Sequence, residues 1–318
     1  MSDYNYMSAP KLDDIVKDIV ESSWIRTQKI INRINYFFEV PEQNIKIVTD
    51  EKEIIDLFKE KYASFNKFKN LLEIRDLNFP TVKNVENSLY ITIPENYVLT
   101  NMIYYTLSGI KDVQKRIEEQ ITKTITHEYL HSVLEKKLPS TQEMILYMGK
   151  TNKGHPFFIL NHEFFTHLFT YLFMKMSDST YNVDWKWYLS DINIYGSFIN
   201  SMTDKMDENQ LLIFSSSLKS LSYLFAELVG ETLWNKYGEE SIDILIERIK
   251  NNETLKEIVD IGKNREAEIL NKLKNVSNSA YDYLINTSFP IDYLDKILKE
   301  DLSKPIETFV SILDEIIK

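Results

Sequence analysis

Val113, Ile117, Ile121 and Ile125 recur every fourth residue and lead into the pentapeptide His127-Glu128-Tyr129-Leu130-His131. That period marks a buried helical stripe. One helix is therefore predicted from Lys111 to about Lys137, stopped by Pro139. His127 and His131 then project from one face, one turn apart. Two imidazoles so placed can take adjacent corners of a zinc tetrahedron, at about 2.0–2.1 Å from the metal. Glu128 lies one position round the helix, where a carboxylate reaches a water rather than the metal. Two ligands and a neighbouring base are what hydrolysis needs. The five histidines, His127, His131, His155, His162 and His167, all fall between residues 127 and 167, which favours a metal over a chance spelling.

The surroundings sort this motif among site types. A metzincin would carry glycine and histidine where this chain has Leu134 and Lys137. A di-iron bundle needs two E-x-x-H pairs. Glu128 and His131 make one, but Glu163 is followed three residues later by Thr166. What remains is a site whose third ligand is a glutamate on a later helix. Glu163, in the aromatic-rich run L160-N-H-E-F-F-T-H-L-F-T-Y-L172, is the first candidate. A carboxylate on so apolar a helix is costly unless a cation meets it. Glu227 and Glu231, in A-E-L-V-G-E, are the alternatives.

Seven glycines and eight prolines in 318 residues leave few tight turns, so helices should dominate. A 43% hydrophobic and 13% aromatic content supports a folded core. The net charge of −11 would repel phosphate backbones, so nucleic acid is not an expected partner. Without cysteine there is no disulfide, no Cys-ligated zinc and no thiol nucleophile. The N-terminus has no basic start followed by an apolar run, and the most apolar window, residues 157–176, is interrupted by His162, Glu163 and His167. A cytoplasmic protein with no membrane partner is expected.

Along the chain, a helix is predicted over residues 11–38, a strand over 44–49, a helix opened by Asp50, and a strand over 88–93 stopped by Pro94. The strand 88–93, placed at a cleft edge, would bind an extended peptide by backbone pairing. Beyond Pro139 the pattern is helical, with loops near residues 149–156 and 177–184 and around Gly238 and Gly262. The expected divisions are an N-terminal helical segment, 1–40; an α/β part ending in the His-Glu helix, 41–138; a helical part, 139–275; and a C-terminal helical extension, 276–318.

H-E-Y-L-H followed by N-H-E-F-F-T resembles the gluzincin metallopeptidases, the group of thermolysin and aminopeptidase N. The aminopeptidase branch reads roughly N-E-G-x-[ST] at the third ligand, whereas here His162 separates Asn161 from Glu163 and Phe164 stands for the glycine. The block from Tyr223 through Y237-G238 is similar to the family's segment of a tyrosine-opened helix ending in Y-G, and the likeness runs in order over residues 44–275.

The resemblance implies a helix-rich α+β, zincin-like catalytic domain with a small mixed sheet in front and helices behind. It implies one Zn2+ per chain on His127, His131 and Glu163, with Glu128 as general base toward a zinc-activated water. Tyr223 would donate to the oxyanion, and His167 would orient a zinc-bound histidine. Glu95, in I93-P-E-N-Y97, echoes the G-x-M-E-N segment that holds a substrate's free N-terminus. The function implied is hydrolysis of peptide bonds in a peptide or protein substrate. The alternative is a zincin fold kept as a catalytically weak or inactive binding or regulatory module.

Overall fold

The computed structural model describes residues 12–63, 80–107, 109–143, 146–150, 156–160, 162–185, 187–188, 208–251, 256–276 and 278. The chain forms two compact units, Met1–Ser132 and Val133–Lys318. The division falls inside a continuous helix, α4 below, a few residues before the boundary at 138 expected from sequence.

In the first unit, α1 (Leu12–Phe38) buries Val16, Ile19, Val20, Ile30, Ile31 and Ile34 on one stripe. Strand β1 (Asn44–Val48) follows, and then α2 (Glu51–Ala63). Asp50 caps α2 as its sequence suggested, Oδ1 accepting the Glu53 N–H at 2.9 Å. Strands β2 (Thr81–Val85) and β3 (Ser88–Thr92) form a hairpin, and the sheet order is β1-β3-β2. β1 runs parallel to β3 and β2 antiparallel to it, with Lys46 and Lys83 both opposite Tyr90. Ile93 extends the β1 pairing by donating to the Val48 carbonyl at 2.8 Å, and Pro94 ends it.

Two expectations change here. β3 is the central strand, so Ser88–Thr92 offers no open edge to a peptide; β1 and β2 are the edges. Residues after Pro94 open a helix, α3 (Glu95–Leu107), in which the Pro94 carbonyl accepts from Tyr97 at 2.9 Å. Glu95 thus sits in a helical first turn, where its charge suits the positive end of the dipole, and not at a strand end.

Helix α4 (Val113–Lys137) carries the predicted stripe, with Ile117, Ile121 and Ile125 wholly buried. Asp112 Oδ1 accepts the Lys115 N–H at 3.1 Å at its start, and Lys136 and Lys137 occupy its last turn. Small polar residues bring α1 close to it: Ser23 Oγ reaches the Glu118 carbonyl at 3.1 Å, and Arg26 pairs with the Glu118 carboxylate at 3.1 Å.

The second unit contains α5 (Ser140–Glu143), strands β4 (Leu146–Lys150) and β5 (Pro156–Leu160), α6 (His162–Ser177), α7 (Glu208–Tyr237), α8 (Glu240–Lys250) and α9 (Lys256–Val276). β4 and β5 pair antiparallel, Leu146 opposite Leu160, where helix and loop were expected. α6 buries every residue from Phe164 to Met174, and α7 packs against it through Gly230. A Cβ on Gly230 would stand 2.8 Å from Tyr171 Cδ1, so only glycine allows this approach. Gly238 (φ 59°) ends α7, its N–H donating to the Trp234 carbonyl at 2.7 Å. Gly262, expected in a loop, lies within α9. The expected extension from 276 lies almost entirely outside the described residues. Among the described residues no helix is long and apolar enough to cross a membrane.

The architecture is helix-rich α+β with one small mixed sheet.

Candidate metal centre and catalytic residues

The i, i+4 spacing on α4 sets His127 Nε2 and His131 Nε2 3.0 Å apart, with ring centroids at 4.6 Å and planes at 89°. Ring nitrogens that converge so closely share a proton or a cation. The turn that carries them is held in place. Thr126 Oγ1 donates to the Thr122 carbonyl at 2.8 Å, and the Tyr129 hydroxyl donates to Asn35 Oδ1 on α1. Burial pushes the Tyr129 phenol up to about 12, which keeps it a donor. His127 is buried at 8% exposure, and Glu128 beside it is half-buried.

Glu163 and His167 lie one turn apart at the start of α6, with Oε1 and Nε2 3.7 Å apart. The helix is buried, but the Glu163 side chain is one-third exposed (33%), so it stands at the rim rather than in the apolar interior. His167 is buried and stacks on Tyr223 of α7, ring centroids 3.7 Å apart and planes at 26°. His167, expected to orient a zinc-bound histidine, faces Glu163 of its own helix.

The two alternative third ligands have other engagements. Glu227 is wholly buried on α7 and accepts the Tyr188 hydroxyl at 2.7 Å. Burial, and then the Glu227 charge, push the Tyr188 phenol well above its ordinary range. Glu231 is paired with Arg265 at 2.6 Å, and the same guanidinium reaches Thr232 Oγ1 at 3.1 Å.

Tyr97 of α3 was not singled out from sequence. Its hydroxyl lies 3.0 Å from Thr124 Oγ1 and accepts from Gln120 Nε2 at 3.2 Å. Gln120, Thr124 and Glu128 follow at intervals of four, and that spacing was the available signal.

No protein-family model, curated protein or solved structure matches the chain in the comparisons made with each.

Proposed function

We propose that the chain is a zinc-dependent metallopeptidase of the gluzincin type, with a zincin-like arrangement of its helices. The observation that carries this is the convergence of His127 and His131 Nε2 atoms at 3.0 Å, with Glu128 on the adjoining position of the same helix. Two neutral imidazoles and a carboxylate are a zinc-fitting donor set. His127, His131 and Glu163 would hold the ion, and His167, 3.7 Å from Glu163, would orient that carboxylate or join it. When bound, zinc supplies Lewis acidity that lowers the pKa of a water and offsets oxyanion charge.

The remaining roles belong to the chain. Glu128 takes a proton from the attacking water and returns it to the departing amine. The Tyr223 hydroxyl donates to the oxyanion, its ring fixed by the stack on His167. The substrate is a peptide or protein.

Elemental analysis of purified protein, with a digest of a generic peptide library, tests the reading. One zinc per chain with cleavage is expected. Zinc without cleavage would favour the binding or regulatory module, and absence of metal would end the metallopeptidase reading.

A further inference from the structure

We propose that Asn35 is a positioning residue for the His127–Glu128–His131 face: through the Tyr129 hydroxyl it sets the rotation of α4 on α1, and so the direction in which that face points. The chemistry of the face rests on the reading above; the attachment rests on contacts within the first unit.

Tyr129 lies two positions from each histidine, about 200° round the helix, so it leaves α4 on the side opposite the ligand face. Its side chain is wholly buried, and its hydroxyl donates to Asn35 Oδ1. A second attachment lies at Glu118, whose carbonyl accepts from Ser23 at 3.1 Å and whose carboxylate pairs with Arg26 at 3.1 Å. Glu118 and Tyr129 stand roughly 17 Å apart along α4. One point of attachment would let α4 turn or slide on α1. Two points so far apart fix both its rotation and its register.

The receiving end is itself held. Asn35 stands in the last turn of α1, where its carbonyl accepts the Val40 N–H at 2.9 Å and the Tyr36 carbonyl accepts the Glu39 N–H at 3.4 Å. That pair of bonds is a Schellman closure, with Glu39 at φ 51° in the place that favours glycine. A glutamate persists in the left-handed region only where its surroundings over-determine it, so the turn that carries Asn35 is a fixed point.

The two Nε2 atoms lie well out from the axis of α4, so a small rotation of the helix shifts both together. A metal site tolerates only about 0.5 Å and 10–20° of error in its donors. The bond behind the helix therefore bears on the ligands in front of it.

The test uses full-length protein carrying isotope-labelled histidine. Zinc Kd is read by chelator competition. The ring-nitrogen NMR signals of His127 and His131, assigned from His127→Gln and His131→Gln, are read in metal-free protein. Tyr129→Phe and Asn35→Ala should each move both ring signals and raise zinc Kd about tenfold, the effect of one hydrogen bond. The two substitutions together should do no more than either alone. Asn35→Asp keeps an acceptor at the same reach and should hold Kd within about threefold of the parent. Val16→Ala, which opens a cavity elsewhere on α1, should lower Tm and leave both Kd and the ring signals alone. Ring signals unmoved in folded Tyr129→Phe and Asn35→Ala overturn the positioning role, and so does an equal shift in Val16→Ala. Signals that move in a protein that binds no zinc uphold the role and end the metallopeptidase reading. Zinc bound and peptide cut, with neither the signals nor Kd dependent on Asn35, do the reverse.

Discussion

Glu128 and Tyr223 are the two residues whose removal should touch chemistry and leave the fold alone. Glu128→Gln keeps size and hydrogen bonding but takes no proton at neutral pH, so zinc should stay while hydrolysis drops by at least ~10²-fold. Unchanged turnover, with metal content checked in parallel, would remove Glu128 from the mechanism. Tyr223→Phe is more discriminating because phenylalanine can keep the stack on His167 seen at 3.7 Å. An oxyanion donor acts in the transition state, so its loss should lower kcat roughly 10- to 10³-fold with KM little changed. A residue that only packs on His167 would leave kcat intact. At this scale His127, Glu128 and His131 were legible, because one helical turn fixes their geometry. The stack of Tyr223 on His167 and the engagement of Glu227 by Tyr188 were not, since each joins residues distant in sequence.

Among the elements, Glu257 joins three helices, accepting from Lys236 and Tyr237 at the end of α7 and from Arg248 of α8 at the start of α9. Burial acts to raise its pKa, but the hydrogen bonds from Lys236, Tyr237 and Arg248 outweigh that and leave it at about 2, down from 4.5. A depressed carboxylate contributes stability that is fully present above its unfolded pKa and is lost as pH falls through the folded one. The helical unit should therefore lose stability between pH 4.5 and about 2. Glu257→Gln should lower Tm near neutrality and flatten that acid limb, as read by circular dichroism against pH. A variant with the parent's acid profile would show that the cluster contributes nothing. Gly230→Ala gives a second check: its Cβ meets Tyr171 at 2.8 Å, and overpacking of this kind costs about 1–3 kcal/mol, a lower Tm by several degrees.

The elements themselves divide by mechanism. α1, α2 and α4 were readable because periodicity and an Asp cap are local. β2 was not, since its turn uses Glu86 at φ 51° where glycine would be the signal. Gly262 lies in a helix where its residue type predicts a loop; packing of α9, with Ile258 and Ile269 buried, outweighs the roughly 1 kcal/mol that a helical glycine costs.

For the whole molecule, the proposed zinc would link metal binding to stability. A ligand held only by the folded state adds about 4 kcal/mol when free zinc is ~1,000 times Kd. Treatment with EDTA should therefore lower Tm by several degrees, and added zinc should restore it. The same treatment of His127→Ala should change nothing, its Tm already standing at the metal-free value. A parent Tm indifferent to EDTA, in protein shown to have lost its metal, would separate the metal from stability.

The His127–Glu128–His131 face, the long helix that carries it and the helical excess can be read from the chain alone, because each follows from contacts within a turn or two. That β3 is central, that Glu95 opens a helix and that His167 stacks on Tyr223 are outcomes of the tertiary fold. It also brought the Tyr97 hydroxyl to Thr124, 27 positions away in the chain. Those outcomes depend on which strand pairs with which and which helix faces which, and nothing within a few residues of sequence carries the energy that chooses between them.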